Sequence, residues 1–130
     1  MKQSTKNWLK AADDDLLAIE NLITREELTN IVAFHAQQSI EKTFKAVLEE
    51  FNIPLIRTHN LETLFLKIST KISVDINENI IAELDKLYLD SRYPGDLGIL
   101  PTGKPTKSEA NGYFAEAVNI RNQIGTLLSV

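Results

Sequence analysis

The chain has 130 residues, of which 43% are hydrophobic and 25% charged, the balance of a soluble globular protein with a substantial core. With no cysteine, disulfide stapling, thiolate catalysis and cysteine-based zinc sites are excluded. A net charge of −4 argues against a general affinity for nucleic-acid backbone, and general DNA binding is not expected.

Strand patterns are nearly absent, while helix signals recur. Trp8, Ala12, Leu16, Ile19 and Ile23 repeat with a period near 3.6 and predict a helix over residues 4–23. It contains Asp13-Asp14-Asp15. Consecutive helix residues point in different directions, so the run is not read as a metal site. Asp13 and Asp14 are expected to be solvated. Asp15, among Ala11, Ala18 and Leu22, is expected to be a half-buried partner for Lys42 or Lys45. Thr24-Arg25-Glu26-Glu27 reads as a capping box that opens a second helix over 26–51. Here Ala33, Ile40, Phe44, Val47 and Phe51 form an apolar face. Gln38, Glu41, Lys42 and Lys45 form a polar row at i, i+3, i+4 and i+7. That row reads either as a solvated face with an ordinary Glu41–Lys45 ion pair or as a surface presented to a ligand. Asn52-Ile53-Pro54 ends the helix.

A third helix is expected over 59–70, with Leu61, Leu64, Phe65 and Ile68 inward. His59 stands at its start, either as a capping group or as a ligand contact or proton shuttle. Asp75-Ile76-Asn77-Glu78 is a box-like start with Asp75 as cap, opening a helix over 76–91 that carries Ile76, Ile80, Leu84, Leu87 and Tyr88. At its exit stand Arg92 and Tyr93. Arg92 offers a planar fork for phosphate or a partner for Asp85 or Glu83, and Tyr93 a ring for stacking or for packing under the loop. The stretch from Tyr93 to Pro105 is the one long loop, rich in proline and glycine and suited to act as a lid. Thr106-Lys107-Ser108-Glu109 is another capping box and opens a helix over 107–128, striped by Ala110, Tyr113, Ala117, Ile120, Ile124 and Leu127.

The fold expected is all-α: an up-and-down antiparallel bundle of four to five helices in a single domain over residues 1–130. His35 and His59 are the only imidazoles and are not spaced as a helical ligand pair, so no metal and no cofactor are expected. The amino terminus opens no apolar run and nothing approaches membrane-spanning length. A cytoplasmic location without membrane contact is expected.

Four motifs in order carry a family resemblance. They are Trp8 with Ala12, Asp15 and Leu16; Phe34-His35-Ala36-Gln37-Gln38-Ser39-Ile40-Glu41-Lys42-Thr43-Phe44-Lys45-Ala46; Thr58-His59-Asn60-Leu61; and Leu87-Tyr88 with Ser91-Arg92-Tyr93-Pro94. Over nearly the whole chain they resemble the HEPN family (higher eukaryotes and prokaryotes nucleotide-binding). The resemblance implies a helical bundle that commonly forms homodimers. Such proteins often act beside a minimal nucleotidyltransferase, or as the toxin of a toxin–antitoxin pair. Some bind nucleotides, and many are metal-independent ribonucleases.

The ribonuclease branch carries an Arg-x4-6-His motif near the final helices. In this chain Arg25 stands too far before His35, Arg57 too close before His59, and Arg92 and Arg121 have no histidine after them. Without that histidine, acid–base cleavage of RNA lacks its main group. The reading is therefore a non-catalytic module for a nucleotide or acidic ligand. In that reading Lys42, Lys45 and Arg92 contact phosphate, Gln38 hydrogen-bonds, and His59 and Tyr93 line the pocket. Asp15 and Glu41 orient the lysines. The alternatives are an RNase toxin with an atypical site on His59 and Arg92, or a structural dimerisation domain whose polar row fixes helix register.

Overall fold

The structure, a computed structural model, describes residues 1–92 and 103–129, with the backbone alone for residues 90–92. Five α-helices follow one another: α1 (Gln3–Leu22), α2 (Thr29–Glu50), α3 (Leu61–Ile68), α4 (Glu78–Arg92) and α5 (Lys107–Leu128). A 3₁₀ turn, Glu26–Leu28, precedes α2, and no described residue lies in a strand. The expected all-α bundle is what forms.

α1 and α2 make an antiparallel hairpin. At its open end Thr5 Oγ1 donates to Glu50 at 2.9 Å, and midway Ser39 Oγ donates to the Ala12 carbonyl at 3.1 Å. That second bond needs small residues on both helices, and Ala12, Ala33, Ala36 and Ser39 are all buried there. α2 then packs against α3, α4 and α5 as well, so it is the central helix. Ile40, Phe44, Leu48, Leu61, Leu64, Ile68, Ile81, Leu84, Ile120 and Ile124 are each fully enclosed. Removing each from water contributes about 1.5–3 kcal/mol before the entropy of ordering is subtracted. Two fixed ties join other helix pairs: Arg121 forks onto Asp13 at 2.7 and 3.1 Å, and the Tyr113 hydroxyl donates to Glu83 at 2.9 Å.

Several local expectations are corrected. Thr24 caps nothing. The Arg25 amide still bonds back to the Leu22 carbonyl, so Thr24 lies in the turn that closes α1, and the Arg25 side chain takes Glu27 instead. α2 therefore begins at Thr29 rather than at 26. α3 begins at Leu61 rather than at 59, because Asn60 is its cap and accepts from the Thr63 amide at 2.8 Å. Asp75 is not the cap of α4. Gln123 occupies both of its peptide groups, at 2.9 and 2.8 Å, and Asn77 caps the helix through the Ile80 amide. The apolar stripes also roll. Ile81 rather than Ile80 is fully buried in α4, Leu128 replaces Leu127 at the end of α5, and Phe51 lies exposed beyond α2. Asp13 is not simply solvated, since Arg121 holds it. The box at Thr106 forms as expected, with Thr106 and Glu109 bonded reciprocally at 3.0 and 2.8 Å.

Candidate functional site

The polar row of α2 divides into two clusters, each centred on a sunken carboxylate. In the first, Asp15 of α1 accepts from Lys42 Nζ at 2.7 Å through one oxygen, and its other oxygen meets His35 Nδ1 at 2.8 Å. Antiparallel pairing of α1 and α2 places them so, and His35 and Lys42 share a face because they are seven residues apart. In the second, Glu41 accepts from Lys45 Nζ at 2.8 Å and meets His59 Nδ1 at 3.0 Å. Gln37 Nε2 bridges Glu41 at 3.1 Å and the His59 carbonyl at 2.9 Å, and the Gln37 carbonyl takes the Gln38 amide at 2.7 Å. Gln37 thereby fixes both the carboxylate and the backbone that carries the imidazole.

Burial is graded in the same way in both clusters. The Asp15 and Glu41 side chains are 10% and 5% exposed, whereas Lys42, His35 and His59 are 26%, 26% and 46% exposed. Lys45 lies between, with its ammonium 5.6 Å from the Trp8 ring centroid. The His59 ring lies 5.1 Å from that of Tyr88, and the Phe34 ring meets His35 edge-on at 5.4 Å. The carboxylates form the floor, and the donors and rings form the rim. Each histidine points Nδ1 inward, which leaves Nε2 directed away from its carboxylate. Each lysine spends one donor on a carboxylate and keeps two.

Burial pushes the Glu41 carboxyl up, but the hydrogen bonds from Lys45, Gln37 and His59 and the Lys45 charge outweigh it, so the group stays below the ordinary glutamate value. Beneath His59, Asp85 of α4 reaches the start of α3 and accepts from the Leu61 amide at 2.7 Å and the Glu62 amide at 3.2 Å. Burial raises the Asp85 carboxyl above its ordinary value despite those two bonds. The His59 segment is thus clamped by Gln37 on one side and Asp85 on the other.

The expected pairing of Asp15 with Lys42 is present, and Gln38, Glu41, Lys42, Lys45 and His59 all belong to these clusters. His59 does not cap α3; it is held by Glu41. Asp85 and Glu83, offered as partners for Arg92, are engaged with α3 and Tyr113. The Arg92 side chain and Tyr93, with the lid proposed for that loop through residue 102, lie outside the described residues. His35, Gln37, Trp8 and Asp85 were not assigned from sequence. His35 was detectable at i, i+7 from Lys42 and Gln37 at i, i+4 from Glu41. Nothing local marks Asp85 as an acceptor for α3. Among the described residues, no group of histidine and carboxylate side chains is arranged to hold a metal ion. No described helix is long and apolar enough to cross a membrane.

The arrangement offers an anion outward-facing nitrogen donors, with aromatic rings on either side. Its two ammoniums are already matched by two carboxylates, so recognition rests on donor geometry more than on a net positive field.

A crystal structure of an archaeal HEPN homologue is similar to this chain with a TM-score of 0.69 and 25% identity, covering 98% of each chain. No curated protein matches. The family model described as the HEPN domain matches residues 5–125 and so takes in every residue of both clusters. The chain belongs to the HEPN domain family.

Proposed function

We propose that this HEPN protein is a non-catalytic module that binds the phosphates of a nucleotide, or a similar acidic ligand, on the exposed rim of α2. The observation that carries this reading is the paired design, in which each buried carboxylate holds one lysine and one histidine with spare donors outward. Trp8 and Tyr88 flank the donors and give a base something to lie against. The protein works as a homodimer in the cytoplasm with a minimal nucleotidyltransferase, in a toxin–antitoxin-like pair. That part draws on the family resemblance.

Thermal shift against AMP, ADP, ATP and GTP tests the ligand, since a molecule that binds only the native state raises the melting temperature. At least one nucleotide should raise it, and Lys42→Gln should abolish the rise. A parent protein indifferent to all four, with a Lys42→Gln variant that melts lower, would leave the row a structural strut. Co-purification with a nucleotidyltransferase encoded beside the gene tests the partner.

One observation favours a second reading, a metal-independent ribonuclease. Glu41 grips His59 through Nδ1 and holds the ring at the surface, as an acid–base histidine requires. Transfer RNA cut in the presence of chelator, with the cut lost in His59→Ala, would decide for it.

A further inference from the structure

On the other side of α3 lies a groove that shares no residue with the two clusters. It is lined by Phe65, Leu66, Ile76 and Ile81, rimmed by Glu62 and Glu78, and has a volume of about 280 Å³. Leu66 is 69% exposed, more than any other large apolar side chain among the described residues. It is out because Leu61, Leu64 and Ile68 use the buried face of α3, which leaves Glu62 and Leu66 side by side at i, i+4 on the edge. The groove runs into a wider polar trough of about 590 Å³ that shares Ile76 and Glu78 and adds Asp75 and Glu116. Glu116 is spent on the Asn77 amide at the start of α4. Glu62, Asp75 and Glu78 form no ion pair among the described residues, and neither Lys67 nor Lys71 lines either depression.

The open shape argues against a small molecule, because ligand pockets enclose most of what they bind and this groove opens along its length into the trough. A volume this small and open suits one or two aliphatic side chains. Charge decides what surrounds them. Three unpaired carboxylates of one sign around an apolar seat repel one another and attract a cation-bearing surface. We infer that the α3–α4 groove docks a partner protein through a basic amphipathic segment, its leucine-type side chain seated beside Leu66 and its lysines or arginines on Glu62, Asp75 and Glu78.

The test uses the full chain and a fluorescein-labelled helical probe peptide with leucines on one face and lysines beside them. Two companion probes carry glutamate for lysine or alanine for leucine. Fluorescence anisotropy should show the leucine–lysine probe binding best, with affinity falling as salt is added. Leu66→Asp should weaken binding by about tenfold or more, as loss of a central apolar anchor does. Glu78→Lys should weaken it as well. Glu20→Lys makes the same change in net charge on exposed α1 and should have no effect. Circular dichroism should show all three variants folded, since the altered side chains are exposed.

Equal weakening by Glu20→Lys would reduce the effect to bulk attraction and overturn the proposal. So would equal binding of the alanine probe, which would leave the apolar seat without a role. If Leu66→Asp instead turned a dimer into a monomer in light scattering, the groove would be an interface between copies, and the proposal of a basic partner would fall.

Discussion

Glu41 is nearly enclosed yet held below its ordinary pKa, a combination with a defined pH signature. A carboxyl whose folded value is depressed contributes stability that is present above its unfolded value, 4.5, and lost as pH falls through the folded one. Urea denaturation at several pH values should therefore show Glu41→Gln with a shallower acid-induced loss below about pH 4.5 than the parent. At pH 7 the same variant should lose about 1.5–3 kcal/mol, the range for hydrogen bonds to a charged group. A variant as stable as the parent at pH 7 would show that Lys45 and His59 reach water without cost. The partnership of Asp15 with Lys42 was legible in sequence because two antiparallel helices had to bring an acid among alanines against the lysines of the next helix. His35 is harder to read, because its neighbours Phe34 and Ala36 make it look like part of an apolar run, and its i, i+7 spacing from Lys42 gains meaning only once Asp15 is placed between them.

Helix bodies were legible and helix starts were not, for a physical reason. A body is specified by many residues repeating one period. A start depends on which of several side chains reaches a few free amides. Thr106 succeeds because Glu109 is free to complete its box, whereas Arg25 diverts the glutamate of the box at Thr24. α3 is the extreme case, since one of its caps comes from another helix. Asp85 has a raised pKa, so its effect has the opposite sign to that of Glu41. Its contribution is full below 3.8 and is lost as pH rises through the folded value. Asp85→Asn keeps an oxygen for the Leu61 amide and removes a buried charge, so it should be tolerated at pH 7. Asp85→Ala strands two amides and should cost about 0.5–2 kcal/mol, the range for loss of a helix cap. Equal melting temperatures for the two variants would count against a capping role. Hydrogen exchange at Leu61 should rise only in Asp85→Ala, whereas exchange at Glu62 should rise in both variants, because asparagine keeps a single acceptor oxygen.

At the scale of the whole molecule, a dimer is the expected assembly, and light scattering should give a mass of twice 14.6 kDa, as the family resemblance implies. A mass of 14.6 kDa at tens of micromolar would remove the self-association part of the proposed function. The central placement of α2 bears on how this chain tolerates change. α2 packs against all four of the other α-helices and opens mainly along the rim that carries Phe34, His35, Gln38, Lys42 and Lys45, and even its polar residues Gln37, Ser39, Glu41 and Thr43 are buried. In a library with every position of the chain replaced in turn and sorted for protease resistance, losses should concentrate between residues 33 and 48, whatever the protein binds. Depletion spread evenly over all five helices would contradict this. Substitutions within the α2 motif should therefore register in folding before they register in binding. Lys42 and His59, on the partly exposed rim, are the positions where the proposed function expects a variant to stay folded and lose its ligand.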